Sequence, residues 1–337
     1  MGASAAAGTV GLVADIGGTN ARFAYALVDA AGAIQLEQPT SLPAHDYPGI
    51  EAAAAAFQDR VGRRPISFAA AACAGPVIDG EVEMTNLSWR IKAVSFAAAL
   101  GLPHALLLND LEAMAWAAPL LTAADLVEIG PSPARRPDAG APLLVFNAGT
   151  GTNAAAFIPN RPTANHQARP LVCVGEGGHT NFAPSDEDEV EIWRRLAARF
   201  GHVSRERLLS GPGMLNIYET LADIAGVPAL CKTPPEVGQY AAAGDALAGA
   251  ALDRFCRMLG AAAGDFALIF GARAGVQISG GIAPTLLAQL QGGGFREAFE
   301  AKGRFSDYVE AIPTFVITHP YAALLGGAHA AFVLAGV

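Results

Sequence analysis

The chain has 337 residues, 52% of them apolar and 16% charged, which allows a sizeable core and argues against broad disorder. Its net charge of −9 argues against nucleic acid or an anionic membrane surface as the main partner, since both reward basic patches. Phosphate ligands stay open, because backbone N–H groups hold them locally.

In chain order, "TVGLVADIGG" and "ARFAYALVDAAG" read as two strands joined by a glycine-rich hairpin. No basic segment precedes them, so no signal peptide is expected, and a cytoplasmic protein is. "GIEAAAAAFQDRVG" reads as a helix stopped at Gly62, and "PISFAAAACAGPV" as a third strand or strand pair. "HALLLND" is a strand ending in two polar residues, and "LEAMAWAAPL" is helical to Leu120. "GPSPARRPDAGAP" is the best linker or loop candidate. The pattern then restarts with a strand "LLVF", a glycine-rich turn and a strand "AAAFIP". "SDEDEVEIWRRLAARFG" predicts a helix with Ser185 as cap, acids in its first turn and Gly201 as stop. Val190, Trp193, Leu196, Ala197 and Phe200 keep helical spacing along it. A long helix near 244–270 precedes a strand "GVQISGG"; "TFVITH" is the last strand and "YAALLGGAHAAFVLAG" a glycine-interrupted final helix. Strands alternating with helices indicate α/β, and the hairpins indicate mixed sheets.

Gly-Thr-Asn-Ala occurs at 18–21 and again at 151–154, each time after an apolar run and before another. The shared letters alone are weak in a chain this rich in Ala and Gly. The matched strand–loop–strand context predicts a duplicated α/β domain with a cleft between the copies. Cys73, Cys173, Cys231 and Cys256 show no C-x-x-C spacing and read as free buried thiols in a reducing compartment.

"DIGGTN" is neither a dinucleotide fingerprint nor a Walker loop. It offers Asp15, glycines at 17 and 18 that admit a ligand to the backbone, and the polar side chains of Thr19 and Asn20. Asp15 could hold magnesium through water. An ordinary tight hairpin is an equal reading of the same six letters. "AGTGTN" is a second such loop without an acid. Asp110 follows an apolar strand, where α/β sheets bind ligands, and suits a general base; it equally suits the cap of the next helix. "VGEGGHTNFAP" sets Glu176 and His179 around glycines, a way to read several hydroxyls, and no partner for a metal site stands at suitable spacing. Glu206 is, from the residues alone, a surface acid near a helix start.

Seven segments, "DIGGTNAR", "MTNLSW", "LLLNDLEA", "GEGGHTNFAP", "GHVSRERLLSGPG", "ISGGIAP" and "KGRFSDYVEAIP", resemble in order the bacterial glucokinase family, across about residues 10 to 330. These are ATP-dependent hexose kinases of the actin/hexokinase/heat-shock-70 ATPase superfamily. The resemblance implies a two-domain actin-like (ribonuclease H-like) α/β fold with mixed sheets and an interdomain cleft. A smaller domain is expected over 1–120 plus 319–337 and a larger one over 121–318. It implies phosphorylation of glucose at the 6-hydroxyl with ATP and Mg2+, by a homodimer. The alternatives are a kinase for an amino or N-acetyl hexose, or a non-catalytic sugar sensor.

Residue by residue, Asp15, Gly17, Gly18, Thr19 and Asn20 match the first phosphate loop. Gly149, Thr150 and Gly151 match the second, and Ser279, Gly280 and Gly281 the adenosine-side segment. Asp110 matches the base, and Asn109, Glu176, His179 and Glu206 the residues that hold the other sugar hydroxyls. The family's second loop usually reads Gly-Thr-Gly-Leu-Gly; here Thr152 and Asn153 take the last two places. If that last glycine needs positive φ, Asn is the best substitute; if backbone touches phosphate there, the Asn Cβ weakens nucleotide binding. Asn181 likewise stands where the family usually has Asp.

Overall fold

The computed structural model describes residues 8–84, 86–131, 137–160 and 169–335. The chain forms two compact units, one of Met1–Leu121, Pro162–Val172 and His319–Val337, the other of Thr122–Arg161 and Cys173–Thr318.

In the first unit the sheet runs in the order β3-β2-β1-β4-β7, with β1 Thr9–Ile16, β2 Asn20–Val28, β3 Ile34–Pro43, β4 Phe68–Cys73 and β7 Leu106–Asn109. A separate ribbon pairs β5 (Glu81–Glu83) with β6 (Arg90–Lys92). The first two strands are the expected hairpin, antiparallel with Asp15 opposite Arg22. β4 pairs in parallel with both β1 and β7. Alternation along β1 splits the core. Leu12, Ala14 and Ile16 join Phe23, Tyr25, Ile50 and Phe57 on one face, under the helix α1 Ile50–Val61. Val13 joins Ala70, Leu324 and Ala328 on the other. A sheet covered on both faces explains why "FAAAAC" is buried end to end. A short helix α2 (Ala93–Ala99) completes the first face.

The last helix, α12 (Ala322–Ala335), lies against α3 (Asp110–Ala117), and its glycine interruption has a steric cause. A Cβ on Gly326 would stand 1.7 Å from the Ala113 carbonyl oxygen. His329 Nδ1 bonds the Trp116 carbonyl at 2.7 Å and its ring meets the indole edge-on. α12 therefore fixes the helix that begins with Asp110.

The second unit's sheet runs β11-β10-β9-β12-β13-β8, from β8 Leu126–Glu128, β9 Leu143–Ala148, β10 Thr152–Ile158, β11 Leu171–Val174, β12 Gly275–Ser279 and β13 Thr314–Ile317. The β9–β10 hairpin is antiparallel and β12 is parallel to both β9 and β13. That order repeats β2-β1-β4-β7, so the strand–loop–strand echo reflects a repeated sheet plan. Its helices are α4 Glu187–Phe200, α5 Glu206–Leu209, α6 Gly211–Ala225, α7 Pro234–Ala242, α8 Ala246–Phe270, α9 Leu287–Gln291, α10 Gly294–Glu300 and α11 Ser306–Glu310. Phe146, Ile192, Phe255, Phe266 and Phe295 lie in their common core.

Several sequence expectations need correction. The cap of α4 is Asp186, whose carboxylate accepts from Glu189 N at 2.8 Å, not Ser185. Its buried stripe is Glu189, Ile192 and Leu196; Val190 and Trp193 are exposed. The cap of α3 is Asn109, not Asp110. Cys173 is exposed, while Cys73, Cys231 and Cys256 are buried, and all four are free. Of the Pro-rich stretch 130–142, residues 132–136 lie outside the described residues, and the rest belongs to the second unit as a loop. No helix of the described residues is long and apolar enough to cross a membrane.

Candidate active site

In the first unit the carboxyl ends of β1, β4 and β7 lie side by side, with Ile16 opposite Cys73 and Cys73 opposite Asn109. Asp15 and Asp110 thus stand at the ligand-binding end of one parallel set, two strands apart. Gly17 N donates to Asn20 O at 2.9 Å and closes the hairpin, and Thr19 O accepts from Ala44 N at 2.9 Å. Arg22 Nη1 donates to Asp15 Oδ2 at 2.9 Å. Burial pushes the Asp15 carboxyl up, and Arg22 opposes that shift.

Asn109 is held as a cap: its Oδ1 accepts from Leu111 N at 3.0 Å and Nδ2 donates to Gly75 O at 3.1 Å. Its side chain also hydrogen-bonds the Asp110 carboxyl and so opposes the rise in that group's pKa. Asp110 Oδ1 accepts from Leu111 N at 2.8 Å, which fixes the carboxylate at the helix start. Burial raises the Asp110 carboxyl above the ordinary range; the Leu111 N–H opposes this and the Asp15 charge adds to it. A carboxylate raised in this way is a stronger base. Cys73, between them, is pushed up to about 12 by burial and by the charges of Asp15 and Asp110, so it is an inert thiol.

In the second unit the Gly149–Gly151 turn and Ser279–Gly281 follow adjacent parallel strands, with Ser279 opposite Asn147. Gly280 has φ +96°, and a Cβ there would lie 2.2 Å from Ala148 O. The two turns are therefore locked backbone to backbone. Asn147, which no sequence motif singles out, sits between them: Oδ1 accepts from Ser279 Oγ and Nδ2 donates to Gly151 O, both at 3.4 Å. Gly211 N donates to Gly149 O at 2.8 Å. Beside this lies a cavity of about 550 Å³ with Met214, Pro234, Pro235, Leu252 and Ile282 in its wall and Gly281 at its edge.

Glu176, His179 and Glu206 come together in this same unit. Arg205 N donates to Thr180 O, and Phe182 N to Val203 O, both at 3.0 Å, so the Glu176 turn is stitched to the segment entering α5. Glu206 Oε2 accepts from Thr152 N at 3.0 Å, and Thr152 Oγ1 donates to Leu209 O at 2.6 Å. Glu206, bland by sequence, thus grips the second loop. The hydroxyl of Thr152 is buried and satisfied. Asn153 lies in β10 without positive φ, so it does not stand in for a glycine of that conformation. Asn181 Oδ1 meets His202 Nε2 at 2.7 Å on the surface. Among the described residues no group of three or more His, Cys, Asp or Glu could hold a metal ion.

A sequence profile of the glucokinase family matches residues 12–333. The chain is 45% identical over 320 residues to a glucokinase of Caulobacter sp. (strain K31), covering 95% of this chain and 94% of that protein. It is 43% identical over 326 residues to that of Chromobacterium violaceum, covering 96% and 90%. The crystal structure of a glucokinase from an Antarctic psychrotroph superposes with a TM-score of 0.86 at 33% identity, over 95% of this chain and 98% of that one. A glucokinase from Streptomyces griseus, described as a complex with glucose and AMPPNP, shares the fold with a TM-score of 0.60 at 19% identity. The fold is that of the actin-like sugar kinases, and the chain belongs to the glucokinase family.

Proposed function

We propose that this chain phosphorylates glucose at its 6-hydroxyl with ATP, using Asp110 as base and the two glycine–threonine loops to hold the phosphates. One observation carries the loop assignment. A Cβ on Gly17 would find no atom nearer than 3.6 Å, one on Gly149 none nearer than 3.7 Å, and one on Gly281 none within 4 Å. None of the three has positive φ. The fold does not require glycine at these positions. A ligand pressed against the backbone would. The apolar wall of Met214, Pro234, Pro235 and Ile282 next to Gly281 suits an adenine ring.

The roles follow from placement. Leu111 N–H holds Asp110 Oδ1, so Oδ2 takes the proton from the 6-hydroxyl. The freed oxygen forms a bond to the γ-phosphorus, and the bond to the β–γ bridging oxygen breaks, leaving ADP. Glu176, His179, Glu206 and the Asn109 amide hold the remaining sugar hydroxyls. Asp15, whose Oδ2 is paired with Arg22, would offer Oδ1 to magnesium, which takes one or two carboxylates together with phosphate oxygens and water. When bound, the ion neutralises phosphate charge and polarises the transferring group. A coupled assay with ATP across a hexose panel tests this. Turnover with glucose is expected; sugar binding without turnover of any hexose would instead favour a sensor.

A further inference from the structure

Both ends of the Asn153 side chain are hydrogen-bonded near the proposed sugar site, and no role assigned above accounts for it. Its Oδ1 accepts from Gly177 N at 2.8 Å and from Ala154 N at 2.9 Å. Two backbone N–H groups on one oxygen fix which end of the amide is which, so Nδ2 must face outward. There it donates to Glu176 Oε2 at 2.8 Å. Glu176 itself is exposed, at the start of a 3-10 turn of Gly177–His179. An exposed glutamate has three free torsions, and fixing them at the moment of binding costs affinity.

The turn cannot drift from the strand. A Cβ on Gly178 would stand 1.7 Å from Thr152 O, and one on Gly177 2.6 Å from the Phe266 ring. β10 therefore presents Asn153 to a turn already pressed against it, and Asn153 sets the Glu176 carboxylate in one orientation. One residue earlier on the same strand, Thr152 N donates to Glu206 Oε2. Two consecutive residues of β10 thus set two carboxylates that act on sugar.

We propose that Asn153 is a positioning residue for sugar recognition: by binding the Gly177 N–H and the Glu176 carboxylate together, it holds that carboxylate in the geometry that receives the hexose hydroxyls. This rests on the reading of Glu176 as a sugar ligand. Only an amide serves. Alanine removes both contacts. Aspartate keeps the two backbone bonds and puts a negative oxygen against Glu176.

The test uses the whole enzyme and steady-state kinetics with glucose and ATP. Asn153→Asp is expected to raise the KM for glucose about tenfold, with kcat and the KM for ATP within about threefold of the parent. Glu176→Gln alone is expected to raise the glucose KM by a similar factor. In the double variant the introduced glutamine amide donates to the introduced aspartate, so Asn153→Asp adds no more than about twofold to Glu176→Gln. If the two effects multiply, Asn153 does not act through Glu176 and the proposal is overturned while Glu176 keeps its sugar role. If Glu176→Gln leaves the glucose KM unchanged, the reading of Glu176 fails and the proposal falls with it. Should Asn153→Asp lower kcat and raise the KM for ATP instead, Asn153 belongs to the nucleotide loop and the proposal is likewise overturned.

Discussion

Replacing Gly149 with alanine separates the demands of a ligand from those of the fold. The added Cβ would lie 3.7 Å from its nearest neighbour, the Asn147 amide, which is ordinary contact distance. The backbone there has no positive φ, so no strain is added. Folding stability is expected to stay within about 0.5 kcal/mol, or to rise by up to about 1 kcal/mol as the unfolded chain loses freedom. If the turn holds the phosphates as proposed, they fare differently, because the methyl group would stand where they meet the backbone N–H groups. Losing one hydrogen bond to a charged group costs about 1.5–3 kcal/mol, so the KM for ATP should rise roughly ten- to a hundredfold. Gly280→Ala is the control. With φ +96° and a Cβ 2.2 Å from Ala148 O, it damages the fold itself. Strain of this kind costs about 1–3 kcal/mol before the clash is counted, so its thermal midpoint should drop by several degrees. Thermal unfolding, glucose titration without nucleotide and ATP kinetics on both variants decide the matter. A Gly149→Ala enzyme with an unchanged KM for ATP would refute the assignment of this turn to phosphate.

Other consequences are independent of that loop. Gly326→Ala drives a Cβ to 1.7 Å from Ala113 O and 2.8 Å from Ala117 N, both backbone atoms that cannot yield. Overpacking of this severity should cost about 3 kcal/mol or more, read by chemical denaturation, and activity should fall with folding because α3 begins at Asp110. Burial lowers the imidazole pKa of His329, with the bond to Trp116 O opposing, so protons bind the unfolded chain more readily. Stability should therefore rise with pH up to about 6.5 and level off above it, and His329→Asn should remove that rise. For Asp110, raised by burial, the acid limb of kcat/KM should lie above the ordinary aspartate value of about 3.9. A limb at or below that value would show that Asp110 is not the titrating base.

The elements set by local signals were legible before the structure. The hairpins at 9–28 and 143–158, the α1 stop at Gly62 and the long helix ending at Phe270 follow from apolar period and glycine placement. What local pattern could not decide was which of two equivalent stripes of α4 turns inward. Val190 and Trp193 fit the helical period as well as Ile192 does, while Leu196, Ala197 and Phe200 of the expected stripe do meet the core. Long-range partners choose between them: Arg254 pairs with Asp186 and, at 2.7 Å, with Asp188, tying the first turn to α8. The same limit hid Asn147 and Asn153. Their meaning lies in neighbours 132 and 24 residues away, Ser279 and Gly177, which no period or motif spacing reports. Residue pattern alone left Glu206 a surface acid for the same reason, and only the family resemblance singled it out, since its partner is a backbone N–H 54 residues distant.

The central claim is that Asp110 takes the proton of the sugar hydroxyl, and Asp110→Asn tests it most directly. Asparagine keeps Oδ1 for Leu111 N–H and so preserves the helix start. It also removes a carboxylate whose charge burial disfavours, so the thermal midpoint should not fall. Calorimetric titration should give a glucose affinity within about threefold of the parent, while kcat drops by at least about 100-fold. A variant that binds glucose normally and keeps more than about 10% of kcat would contradict the account, because general-base catalysis typically contributes at least about 100-fold.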